Sequence, residues 1–278
     1  MQAPLDALHA GLRYPAPPAA ATRRAVLVVG GGGPLGSAVL EQLLGGGQWA
    51  RVAVLVSQPL EVAVSGLEAW PAAWLDAPPQ AGRPRLAANP EVTPDTAVLV
   101  FDRERSRHGR EVALTRPDPA RLPTIARGLL GLGVQRLVVV LPHAPGLLPQ
   151  ALRAGLASLD EQAVAALGFH QLVMVRPARA LAAAAAGTRP GFWPRVAGAV
   201  LAQLQLMVPQ REQPLRAARV AHFVGDLAPA LPAMAAGTRV VAPELLWDWA
   251  QPGAGPQVLR SWLAGQAGPT LALPLPRL

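Results

Sequence analysis

Short valine-rich runs alternate with amphipathic stretches along the first two thirds of the chain. Ala25–Val29 and Arg51–Val56 are almost continuously apolar, as strands covered on both faces of a parallel sheet must be. Residues 97–101, 136–141 and 172–175 read the same way. Helical patterns lie between them. Residues 37–44 place Ala38, Val39, Leu40, Leu43 and Leu44 around Glu41 and Gln42, and Gly45, Gly46 and Gly47 stop that helix. Residues 121–130 carry Leu122, Ile125, Leu129 and Leu130 on one stripe, and residues 147–167 form a helix broken near Gly155. The Pro- and Ala-rich segment 61–94 is expected to hold a third strand at no fixed place. Beyond Pro177 the pattern loosens. It predicts an alanine-rich stretch at 180–186, helices over 196–207, 220–235 and 258–263, and a late strand at 239–241. Pro229 and Pro232 must break or kink the 220–235 helix. There is no internal repeat. Strands alternating with helices of this size predict right-handed crossovers and an α/β fold with a doubly wound parallel sheet. The expected organisation is one domain over residues 23–278, with 178–278 as a smaller C-terminal, substrate-side part. Residues 1–22, ending in a Pro/Ala stretch, read as a flexible lead-in.

Composition narrows the chemistry. The chain has 278 residues and no cysteine, which removes disulfides, thiolate metal sites and a cysteine nucleophile together. All 25 basic residues are arginines, and tyrosine occurs once, at Tyr14. The formal charge of +8 is spread from Arg13 to Arg277. Nucleic-acid binders gather charge on one face or tail, so no nucleic-acid partner is expected. No apolar run reaches the ~18 residues of a membrane span, and the N-terminus lacks the charged-then-apolar order of a signal peptide. A cytoplasmic protein, monomeric or homodimeric, is the expectation. The five histidines, His9, His108, His143, His170 and His222, show no metal-ligand spacing, so no metal is expected.

The strongest motif is the glycine-rich turn at residues 30–36. It satisfies Gly-x-x-Gly-x-x-Gly as Gly30, Gly33 and Gly36, and Gly-x-Gly-x-x-Gly as Gly31, Gly33 and Gly36, with Pro34 and Leu35 between. In a Rossmann-type fold one such glycine makes the strand-to-helix turn. Another admits a pyrophosphate, and a third lets helix and strand approach. The helix start then offers unpaired N–H groups to the phosphates. A glycine-rich turn with no ligand is the competing reading, and the run Gly45–Gly47 shows that glycine is cheap in this sequence. A dinucleotide ligand is favoured because the turn falls between a predicted strand and a predicted helix. NAD binders carry Asp or Glu at the end of the second strand. Here that place holds Val56, Ser57 and Gln58. An arginine for the 2′-phosphate of NADP is absent there too, so the expectation of NADP over NAD rests on Ser57 donating to a phosphate and on Arg103 or Arg105 reaching over from the next strand end.

Residues 24–245 resemble the short-chain dehydrogenase/reductase superfamily, and within it the atypical NAD(P)H-binding branch that includes Tat-interacting-protein-like oxidoreductases. The resemblance rests on the 30–36 turn, on Gly-x-Gly-Val-Gln-Arg-Leu-Val-Val-Val from Gly131, and on Ala-Leu-Gly-Phe-His-Gln-Leu-Val-Met-Val-Arg-Pro from Ala166 to Pro177. It implies that Arg176 and Pro177 end a strand beside the nicotinamide half of the site. It also implies a catalytic serine near residue 141 or 142, then Tyr-x-x-x-Lys near residues 153 and 157. Those positions hold Leu141, Pro142, Arg153 and Ala157. No realignment supplies the pair, because the chain has no lysine and Tyr14 precedes the fold.

Three functions stay open: a nucleotide-binding sensor or scaffold, an NADPH-dependent oxidoreductase with a non-standard proton donor and a small-molecule substrate, and an adaptor that has lost nucleotide binding. For the second, His143 is the acid/base candidate, since histidine titrates near neutrality. Arg153, at the expected tyrosine position, is the other catalytic candidate, on the proton path or binding a phosphate or carboxylate. A surface loop histidine and a surface helix arginine are the alternatives. Asp102 and Arg103 follow the 97–101 strand and face the same cleft, lining the site or forming a solvated loop. Trp247 and Trp249 read as core packing or as the rim of a pocket.

Overall fold

A computed structural model describes residues 24–60, 64–76, 93–102, 113–143, 156–178 and 215–265. Seven parallel strands form one sheet. They are β1 (Ala25–Val29), β2 (Arg51–Val56), β3 (Leu67–Pro71), β4 (Thr96–Val100), β5 (Arg136–Val140), β6 (Gln171–Val175) and β7 (Gly237–Val241). Their spatial order is β3-β2-β1-β4-β5-β6-β7. The chain therefore builds outward from β1 through β2 to β3, crosses back to lay β4 on the other side of β1, and continues outward to β7. This is the expected doubly wound α/β arrangement of Rossmann type.

Alternate side chains of each central strand feed two separate cores. One face presents Val26, Val28, Val52, Val54, Val98, Val138 and Val173 to α1 (Pro34–Gly45), α4 (Ala217–Ala230), α5 (Pro243–Trp249) and α6 (Gly255–Leu263). The other presents Leu27, Leu55, Leu99, Leu137 and Leu172 to α2 (Leu122–Gly131) and α3 (Leu159–Ala165). Strands β1, β4 and β6 are buried at every residue, which explains why their sequence shows an apolar run and no alternation. Burying each such Val or Leu side chain contributes roughly 1.5–3 kcal/mol before entropy is counted.

Observed bounds differ from the expected ones where one face is weakly covered. β3 occupies Leu67–Pro71, at the sheet edge, and buries only Trp70, which packs on Trp74 with ring centroids 5.3 Å apart. Glu68 and Pro71 hide the strand signal, and both are tolerated because an edge strand has one unpaired side. α5 was not expected at all. Pro243 occupies its first turn with Glu244 beside it, both favourable at a helix start, but seven residues are too few to show a stripe. Its Trp249 is 7% exposed and meets Phe223 edge-on at 5.3 Å, so it is a core residue, whereas Trp247 is half-buried. α4 keeps Pro229 inside its last turn and passes into a 3-10 turn at Leu231–Ala233. The expected helix over 147–167 is seen as α3, whose start is set by Ser158 accepting from the Glu161 N–H at 3.2 Å. The lead-in 1–22, residues 147–155, and the stretches 180–186 and 196–207 lie outside the described residues.

Candidate site at the β1–β4 switch point

Strand order reverses direction at β1, so the connections leaving β1 and β4 part to opposite faces of the sheet. Such a parting opens a crevice at the carboxyl ends of the two strands. The glycine turn leaves β1 at this point. Gly30 has φ +102°, and a Cβ there would stand 2.0 Å from the Val100 carbonyl oxygen of β4. A Cβ on Gly36 would stand 1.7 Å from the Gly30 carbonyl oxygen. Both positions demand glycine for backbone packing alone, whatever the crevice holds.

Gly33 is different. Its neighbour is a side chain, the Asp102 carboxylate, 2.5 Å from where a Cβ would sit. Gly33 is the N-cap of α1 and supplies no side-chain cap, Pro34 follows, and the first turn contains no acid. The Leu35 N–H instead donates to Asp102 Oδ2 at 2.6 Å. A carboxylate from the end of β4 thus satisfies an amide that the helix itself leaves unpaired, at its positive end. Chemically the turn is a seat for an anionic oxygen, and the occupant is the protein's own.

A second segment, residues 113–116, crosses the same place. The Gly32 N–H donates to the Thr115 carbonyl at 3.2 Å and the Gly30 N–H to Thr115 Oγ1 at 3.3 Å. Thr115 Oγ1 in turn donates to the Leu55 carbonyl at 3.0 Å. Both the N–H and the hydroxyl of Ser57 donate to the Ala113 carbonyl, at 2.8 and 3.1 Å, and Leu114 bridges Val56 antiparallel. Leu114 lies beside Gly31, and Arg116 Cγ is 2.7 Å from the Cβ position of Gly32. Sequence reading did not single out Leu114, Thr115 or Arg116. The stretch Ala-Leu-Thr-Arg at 113–116 is too short to leave a periodic trace, and its contacts to the turn, such as Thr115 to Gly30, join residues 85 apart.

Beyond the turn, a cavity of about 520 Å³ lies along β2 and β3. Val56, Leu60, Leu67, Ala69 and Pro71 make its apolar wall, and Ser57 and Gln58 add polar groups. At the other end of the crevice, β5 and β6 are prolonged by a bridge between His143 and Ala178, with the His143 N–H donating to the Pro177 carbonyl at 3.1 Å. Arg176 is 2% exposed and bonds Glu161 Oε2 at 2.5 Å. The same carboxylate oxygen accepts the Ala157 N–H at 2.6 Å. Arg176 therefore ties the end of β6 to the start of α3 through a buried ion pair. Arg103 and Arg153 lie outside the described residues. Among the described residues, no group of three or more His, Asp or Glu side chains is arranged to hold a metal ion. No described helix is long and apolar enough to cross a membrane.

No family model and no curated protein matches the chain. Solved structures do show similarity. A Rossmann-fold NAD(P)-binding family protein from Shigella flexneri is 15% identical, with a TM-score of 0.44 over 78% of this chain and 92% of that one. UDP-glucose 4-epimerase from Brucella ovis, solved with NAD, is 17% identical, with a TM-score of 0.41 over 79% of this chain and 77% of its own. The enzyme WbmH from Bordetella bronchiseptica, solved with NAD+, is 13% identical, with a TM-score of 0.39 over 81% and 80%. The Rossmann-type fold itself rests on the strand order β3-β2-β1-β4-β5-β6-β7.

Proposed function

We propose that this protein binds a dinucleotide, NADP or NAD, at the β1–β4 switch point and serves as a nucleotide-binding sensor or scaffold. The observation that supports this reading is the Leu35 N–H held on a carboxylate oxygen at 2.6 Å. That amide is oriented for an anion, and a pyrophosphate oxygen accepts it by the same chemistry once Asp102 has moved. Gly33 provides the close approach, and the cavity beside Ser57 and Gln58 offers space for the adenosine half. Bound NADPH or NADH would supply a hydride. The chain has no lysine, and its one tyrosine is Tyr14, so the Tyr/Lys acid–base pair of short-chain reductases has no counterpart here.

The test is ligand-induced stabilisation of the full chain. A ligand at about 100 times its dissociation constant raises the unfolding free energy by ~2.7 kcal/mol. The expected result is a concentration-dependent rise in Tm with NADP+ or NAD+, without turnover of NADPH against quinones, aldehydes or ketones. Turnover lost in His143→Ala or Arg153→Ala would instead establish the oxidoreductase reading.

A second reading is favoured by the position of Asp102 and the 113–116 segment. If they never leave, the protein is an adaptor that has lost nucleotide binding and keeps the sheet as a scaffold. Absence of any Tm shift at millimolar NADP(H) and NAD(H) selects this reading.

A further inference from the structure

Three places on the molecule invite interpretation. The Glu161–Arg176 pair is fully buried and its groups are bonded to each other and to the Ala157 amide, so its work is to join β6 to α3. The apolar cavity along β2 and β3 adjoins the dinucleotide seat already proposed. Asp102 remains, and its placement says more than either.

An acid that merely caps a helix is normally the residue just before the first turn. Here the cap comes from 67 residues away, from the end of the strand that faces the turn across the crevice. The α1 start has no cap of its own and no acid in its first turn. The carboxylate fills the space beside Gly33, where the three atoms nearest an added Cβ all belong to Asp102. An anionic group thus stands on the amide that a phosphate-bearing ligand needs, with the charge such a ligand carries.

We infer that Asp102 is an internal anion that competes with the phosphate of the ligand for the Leu35 amide, and so sets the affinity of this site. The inference rests on the dinucleotide reading above. A ligand enters only by displacing the carboxylate, and it then meets a like charge nearby unless Asp102 swings clear. Both steps cost affinity, and removing the charge lowers both costs. Asn at position 102 keeps the shape and an acceptor oxygen for Leu35 while losing the charge. Ser keeps a shorter, neutral cap.

The experiment compares the full-length wild type with Asp102→Asn and Asp102→Ser in titrations with NADP+, NAD+ and inorganic pyrophosphate. Binding is read by calorimetry, and folding is checked by circular dichroism and thermal melting. The expected result is at least tenfold tighter binding of dinucleotide and of pyrophosphate by the Asn variant, with a lower or unchanged Tm in the absence of ligand. The Ser variant should follow in the same direction, and it carries the test if the Asn variant does not fold. Wild-type binding with equal or weaker affinity in both variants overturns the inference and leaves the dinucleotide reading standing. Asp102 is then only a helix cap. Failure of all three proteins to bind any of the three probes overturns both.

Discussion

Two glycine runs lie at opposite ends of α1, and they are there for different reasons. At the start of the helix, added Cβ atoms on Gly30 and Gly36 would meet backbone oxygens at 2.0 and 1.7 Å. At its end, a Cβ on Gly45 or Gly47 would meet nothing within 4 Å. Gly47 has φ +64° and helps the chain leave the helix, and Gly45 is simply the last helical residue. Glycine content alone does not distinguish the runs. What distinguishes them is the partner each faces: in the first, Gly30 is pressed against β4 and Gly36 against Gly30, whereas in the second Gly45 and Gly47 face open space and Gly46 meets only the Gln42 carbonyl of its own helix. A glycine run signals a site only where something must come close to it.

The largest effect expected from this contrast is at Gly36. Gly36→Ala forces the Gly30 carbonyl or the whole helix to shift, and overpacking against backbone costs about 3 kcal/mol or more. Urea unfolding should show that loss, or the variant should fail to accumulate as folded protein. A wild-type midpoint would mean that helix and turn are not packed as described. At the other run the sign reverses. Gly45→Ala should stabilise the protein by up to about 1 kcal/mol, since alanine is the better helix former and has room. A loss there would show an unrecognised demand on that position.

The smallest effect lies on α4, which packs on α1 through Gly225 and Gln42. Partial burial raises the pKa of Asp226, next to Gly225, above its ordinary 3.8, and the charge of His222 opposes the rise. The folded state then holds this proton more tightly than the unfolded state. The stability it contributes is full below pH 3.8 and is lost as pH rises through the folded pKa. Asp226→Asn should flatten the fall in Tm over that window. An unchanged pH slope would show that the carboxyl is solvated.

Much of the fold was legible because the strands of a doubly wound sheet are apolar on both faces. β1 and β2 were bounded correctly from Ala25–Val29 and Arg51–Val56 alone. β3 was expected but could not be placed, since only Trp70 of its five residues is buried. α5 escaped because seven residues give no stripe. The glycine turn was legible for a local reason, its position between a valine-rich run and a helical pattern. Its surroundings were not. The bonds of Thr115 to Gly30 and Leu55 join residues 85 and 60 apart, and the Asp102–Leu35 bond spans 67. Such contacts depend on strand order, which no single window of sequence contains. Arg176 teaches the same lesson. Its place at the end of a strand could be read from the chain, but its buried bond to Glu161 could not.

The most direct measurement is the amide spectrum of isotope-labelled protein during titration with NADP+, and then NAD+. Saturable shifts of the Gly33 and Leu35 resonances, together with Asp102, are the result predicted by a phosphate seat between β1 and β4. If these resonances stay in place at millimolar nucleotide while the spectrum remains that of a folded protein, the seat belongs to Asp102 alone and the dinucleotide account is wrong.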